Sequence, residues 1–101
     1  MQIYVDDIRN PPDNSWIVVR SYGEAIALID THWGNIQAIS LDHDLGEVKT
    51  GYDIVCHMEL KARQEPDNFP PEVYFHTANP VGWQNMKRVL DSIHRFIKGA
   101  L

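Results

Sequence analysis

The chain contains one cysteine, Cys56, among 101 residues. A single thiol closes no internal disulfide, and its place in a helical stretch marks it as a small buried apolar residue rather than a reactive group. Long apolar runs are missing too, and none approaches the roughly 18 residues that a membrane span requires. Met1 is followed directly by the strand-like Gln2-Ile3-Tyr4-Val5, so no signal peptide is expected. These absences predict a cytoplasmic protein with no membrane association. Repeats, low-complexity tracts and linkers are also absent, which predicts a single domain spanning residues 1–101.

Basic residues are few: nine Lys and Arg stand against 14 Asp and Glu, for a net charge of −5. Nucleic-acid backbones are neutralised by clustered Lys and Arg, so the balance argues against a broad nucleic-acid face. It leaves room for a small phosphorylated ligand held through a metal, or for an RNA end recognised only locally. What the chain does have is 44% hydrophobic residues, enough to bury a core without disulfide support.

Gln2 to Val5 reads as a first strand, and Asn10-Pro11-Pro12-Asp13-Asn14 as a loop in which proline denies ladder hydrogen bonds. Trp16 to Arg20 is a second strand. Ser21 and Glu24 have capping-box spacing, and apolar residues from Ala25 to Trp33 recur at helical intervals before Gly34-Asn35. Ile36 to Leu41, nearly all apolar, predicts a buried third strand. A second helix starts at Thr50 or Gly51, and Pro66 to Pro71 is a connection rich in breakers. Glu72 to Phe75 forms a fourth strand. Asn79-Pro80 opens a last helix, with Trp83, Met86, Leu90, Ile93 and Ile97 on one face and Gly99 as its stop.

The order β-β-α-β-α-β-α predicts an α/β fold: a small three-layer sheet, mainly parallel, in the order 2-1-3-4, with helices on both faces. The first connection is too short for a helical crossover.

Three polar clusters follow three of the strands: Asp6-Asp7, Asp42-His43-Asp44 and His76-Thr77-Ala78-Asn79. Ligands of open α/β sheets bind beyond the carboxyl ends of the strands, at the switch point, here between strands 1 and 3. Converging carboxylates repel unless they are protonated, paired or holding a cation. Asp6, Asp7, Asp42 and Asp44 therefore predict a divalent metal site. Hard oxygen ligands suit Mg²⁺ or Mn²⁺, and mixed His and carboxylate ligands suit a transition metal. Asp6-Asp7 also fits a capping turn, and Asp44-Leu45-Gly46 a plain turn in which Gly46 takes a positive φ.

His43 and His76 stand beside carboxylates and are candidates for general acid and base, with neither assigned to one role, and Asp42 is a further catalytic candidate. His32, His57 and His94 read as packing or surface residues. Thr77 and Asn79 offer hydrogen bonds to a phosphoryl oxygen, although Asn79 also serves as a helix cap. Arg9 reaches either a phosphate or Asp7. Trp83, in the first turn of the last helix, packs in the core or stacks on a base.

Asp6-Asp7, Asp42 and Thr77-Ala78 resemble the acidic site of response-regulator receiver domains. The resemblance implies that Asp6, Asp7 and Asp42 hold Mg²⁺ and that Asp42 takes the phosphoacceptor position. The sequence departs from that family in having no fifth strand and no lysine after one, since Lys98 lies near a helix end. The fuller pattern is Val5-Asp6-Asp7-Ile8-Arg9, Leu41-Asp42-His43-Asp44-Leu45-Gly46, Gly51-Tyr52-Asp53 and His76-Thr77-Ala78-Asn79-Pro80-Val81-Gly82. It is similar to the cyclic-phosphate-processing receiver domains of bacteria and phages, for which hydrolysis of cyclic phosphates such as RNA 2′,3′-cyclic ends has been proposed.

The resemblance implies a metal-dependent phosphoesterase acting on a cyclic phosphate. On this reading, replacing either histidine abolishes hydrolysis and leaves thermal stability nearly intact. The alternatives are a non-catalytic module that sequesters a cyclic nucleotide or joins a protein partner, and a phosphoryl switch at Asp42. Strand 4 is expected to be an open edge, which invites pairing with a second copy.

Overall fold

The computed structural model describes residues 1–100. Its elements are β1 (Gln2–Val5), β2 (Trp16–Val19), α1 (Tyr22–His32), β3 (Ala38–Leu41), α2 (Gly51–Gln64), a 3-10 turn (Pro66–Asn68), β4 (Glu72–Phe75) and α3 (Pro80–Ala100). All four strands are parallel and lie in the order β2-β1-β3-β4, the flavodoxin-like receiver arrangement expected from the sequence. β4 pairs with β3 alone and so forms one edge of the sheet.

Local chemistry sets the helix starts. The Ser21 hydroxyl accepts from the Glu24 amide (3.2 Å) and donates to the Glu24 carboxylate (3.1 Å). At α2, Asp53 accepts from the Thr50 amide at 2.8 Å. At α3, Asn79 Oδ1 accepts from the Gly82 amide at 3.0 Å, and Pro80, which has no N–H to lose, follows the cap. Gly99 does not stop α3, which runs on to Ala100. Glycine in an exposed last turn costs only about 1 kcal/mol relative to alanine, too little to end a helix by itself.

The core lies on one face of the sheet. Ile3, Val5, Val19, Ile39 and Leu41 pack in one cluster with Ala25 and Ile29 of α1, Ile54, Val55 and Met58 of α2, and Met86 and Ile93 of α3. Side chains alternate along a strand, so Tyr4, Trp16, Ser40 and Tyr74 point to the opposite face. The expected cover of helices on both faces is thus corrected: the three helices share one face. The physical reason is the β1–β2 connection, which crosses between parallel strands through Asp6–Ser15 with no helix.

Met86 is fully buried and ties α3 to this core. Met86→Ala should lower the unfolding free energy by about 2–5 kcal/mol. Val48→Ala, at a site 95% exposed, should leave it unchanged. Urea denaturation of the two variants checks both.

Candidate functional site

The sheet register brings the predicted residues to one edge. Val5 pairs with Leu41, and Leu41 with Phe75, so the residues after these strands leave side by side. Two hydrogen bonds extend the ladder by a step: the Asp42 amide donates to Val5 O (3.0 Å) and the His76 amide to Leu41 O (3.0 Å). Asp6, Asp42 and His76 are therefore neighbours although they lie far apart in the chain.

Asp6 is 1% exposed. Its Oδ1 accepts from the amides of Ile8 (2.9 Å) and Arg9 (2.8 Å), and its Oδ2 lies 3.0 Å from His76 Nε2. Burial alone would push this carboxyl up. The Arg9 and Ile8 amides and the His76 ring outweigh it and hold Asp6 below its ordinary range. An ionised carboxylate only accepts, so His76 Nε2 carries the proton, and in the neutral ring Nδ1 accepts from the Ser40 hydroxyl at 2.7 Å. The imidazole also stacks on Tyr4, with centroids 4.3 Å apart and planes 8° from parallel. Both nitrogens of His76 are thus engaged beneath the site.

His43 sits differently. Its Nδ1 lies 3.0 Å from Asp44 Oδ1, an arrangement that makes Nδ1 the donor and leaves Nε2 as the basic nitrogen of the neutral ring. Asp44 is held below its ordinary range chiefly by this hydrogen bond, with help from the Asn79 side-chain amide at 3.3 Å. The ring packs against Gly82, in the first turn of α3. A Cβ at Gly82 would stand 2.4 Å from His43 Cγ, so only glycine leaves that seat open.

A cavity of about 550 Å³ opens above this edge, lined by Asp6, Asp7, Asp42, Asp44, Arg9 and the Thr77–Asn79 turn, with Gly46 at φ 69° completing the wall. Carboxylate oxygens of Asp6, Asp7 and Asp42 lie within 4.8 Å of one another. Asp44 stays outside this trio, held by His43 and Asn79. Asp42 Oδ1 accepts from the His43 amide (2.8 Å), whereas Asp7 makes no side-chain hydrogen bond among the described residues. Three carboxylates with one guanidinium beside a carboxylate oxygen, Arg9 Nε at 4.0 Å from Asp6 Oδ2, form a donor set that fits a hard divalent cation.

Arg9 neutralises Asp6 rather than Asp7, and it also donates to His76 O at 2.8 Å. Thr77 Oγ1 accepts from the Asn79 amide (3.1 Å), and Asn79 both caps α3 and faces the cavity. Trp83 is 41% exposed, meets Phe75 edge-on at 6.2 Å, and does not line this cavity.

The family model for the cyclic-phosphate processing receiver domain matches residues 1–92. This chain belongs to that family. No curated protein and no solved structure matches it. It is thus a receiver-like domain associated with cyclic-phosphate processing, and no helix among its described residues is long and apolar enough to cross a membrane. As a cyclic-phosphate processing receiver domain, it has Arg9 as the one basic residue in the wall of its acidic cavity, and no lysine.

Sequence reasoning missed two supporting residues of this receiver domain. Ser40 orders His76, and its signal was a hydroxyl inside an otherwise apolar strand. Arg20 donates to the carbonyls of Asp6 (3.1 Å) and Arg9 (2.6 Å) and to Asn10 Oδ1 (2.8 Å), tying down the loop after β1. Its signal was a lone arginine at the end of β2.

The embedding of His76 changes one sequence-based expectation. His76→Ala orphans Asp6 and Ser40 partners and should cost about 2–3 kcal/mol in urea denaturation. His43→Ala should cost less than His76→Ala, because the hydrogen-bond partner it leaves behind, Asp44, is exposed. Gly82→Ala should displace the His43 ring, read as a change in its ring-proton chemical shifts, while circular dichroism shows the helices unchanged.

Proposed function

We propose that the domain is a divalent-cation-dependent phosphoesterase that opens a cyclic phosphate, such as an RNA 2′,3′-cyclic end or a cyclic nucleotide. The observation that carries this reading is the meeting of Asp6, Asp7 and Asp42 oxygens within 4.8 Å, in one cavity with the Thr77–Asn79 turn. Mg²⁺ or Mn²⁺ held by these three carboxylates would offset the charge of the phosphoryl oxygens.

The chain's own residues supply the rest. Thr77 and the backbone at the start of α3 orient the phosphate, where the helix dipole favours an anion. Water attacks phosphorus and gives up a proton, one P–O bond to the ribose breaks, and the freed ribose oxygen takes that proton, giving a phosphate monoester. His43 is the group that moves that proton, because Asp44 fixes its Nδ1 and leaves Nε2 open. His76 acts through Asp6, as a positioning residue that holds the carboxylate ionised and aimed. Arg9 holds the turn through His76 O and faces the cavity beside the phosphate.

The full engagement of His76 favours a second reading, a module that binds a cyclic nucleotide without turning it over, since only one histidine is left for proton transfer. ³¹P NMR of uridine 2′,3′-cyclic phosphate with the protein and Mn²⁺ separates the two. Hydrolysis predicts conversion to the monoester, abolished by Asp42→Asn and slowed roughly 10²–10⁴-fold by His43→Ala. Binding with the ligand recovered intact supports the second reading, and the absence of both binding and turnover would sink the two together. Mn²⁺ should broaden the amide resonances of Asp6, Asp7 and Asp42, and Asp7→Asn should weaken that effect at least about tenfold.

A further inference from the structure

A second cavity, of about 360 Å³, lies between the start of α2 and the first turns of α3, lined by His43, Thr50, Tyr52, Asn85, Arg88 and Val89. No carboxylate lines it, in a chain with 14 acidic residues against nine basic ones. Arg88 and Asn85 are three residues apart on α3, hence on one helix face. Arg88 is exposed and pairs with no carboxylate among the described residues. An unpaired guanidinium beside a side-chain amide, with no acid in the wall, suits an anion, and the guanidinium fork matches phosphate geometry in particular.

The two cavities share a ridge. Asp44 lines the acidic cavity, His43 lines the second, and the 3.0 Å contact between them joins the two walls. A ribose whose cyclic phosphate sits among Asp6, Asp7 and Asp42 would cross this ridge beside His43. Its far end would then enter the second cavity, against Tyr52 and Val89.

We propose that the second cavity receives the other phosphate of a nucleotide whose cyclic phosphate occupies the acidic site, with Arg88 and Asn85 as its ligands. The proposal rests on the phosphoesterase or binding reading of the acidic site and narrows its substrate class. A ribose carrying both a 2′,3′-cyclic phosphate and a 5′-phosphate, as at an RNA end, fills both cavities. A cyclic mononucleotide with a single phosphate fills one.

Two measurements test this. In the first, inorganic phosphate is titrated without divalent cation into isotope-labelled protein, and the side-chain NMR signals of Asn85 and Arg88 are followed. The bare carboxylates repel phosphate under these conditions, so this arm does not depend on the acidic site. Saturable shifts at Asn85 and Arg88 that vanish in Arg88→Gln support the proposal. No shift there, or shifts unchanged in Arg88→Gln, overturn it.

In the second, calorimetry with Mn²⁺ compares uridine 2′,3′-cyclic phosphate with its 5′-phosphorylated form. The expected result is at least tenfold tighter binding of the 5′-phosphorylated ligand, a difference that Arg88→Gln erases without changing the affinity for the other. Equal affinities, or equal weakening of both by Arg88→Gln, overturn the proposal. Shifts in the first arm with neither nucleotide bound in the second would overturn both the acidic-site reading and the pairing of the two cavities.

Discussion

The site depends on the satisfaction of one buried charge. A carboxylate removed from water is costly unless its lone pairs are matched, and Asp6 is 1% exposed. Its Oδ1 is matched by the two amides that follow it, which forces the chain to turn at once after β1. Its Oδ2 is matched by His76, which belongs to the far end of β4. One side chain therefore fixes both the loop leaving the first strand and the ring leaving the last. Ser40 and Tyr4 complete the arrangement from below. Asp7, the next residue, is left with its carboxylate facing the cavity.

Much of this was legible in the sequence, because it follows from periodicity and punctuation. Short apolar runs ending in acids or histidines marked the strands, and Ser21, Thr50 and Asn79 marked the helix starts. The strand order followed from the rule for parallel crossovers. Helices on both faces did not follow, because the Asn10–Asn14 loop carries β1 into β2 without one. The clustering of Asp6, Asp7 and Asp42 was legible from their places after the strands of the switch point. The partners of His76 were not, since rotamers and hydrogen bonds depend on which face a residue takes.

That face was, in principle, a matter of counting. With Leu41 registered on Phe75, continuing the ladder by one step sets Asp42 beside His76, and a second step sets His43 beside Thr77. Side chains alternate faces, so the two histidines leave the sheet out of phase. His76 goes to the face without helices, together with Tyr4 and Ser40. His43 goes to the helix face and lies on Gly82. Two histidines that read as an acid–base pair in the sequence are thus divided between two tasks. One orders the acidic cluster from beneath, and the other stands on the ridge above it with a nitrogen left open.

The one-sided core explains why the other face relies on polar contacts and aromatic stacking. Hydrophobic packing against helices holds Ile3, Val5, Ile39 and Leu41, whereas their alternate neighbours have no helix over them. There Tyr4 meets Trp16 edge-on and His76 face-on, and Arg20 ties the Asp6 and Arg9 carbonyls to Asn10. Such contacts are directional, and each depends on its neighbours being in place. The acidic trio therefore rests on an apolar core that supplies stability on one side and a hydrogen-bonded layer that supplies aim on the other. A substitution in the first layer should lower stability and leave the geometry of the carboxylates in place. A substitution in the second should disturb that geometry even where the sheet itself survives.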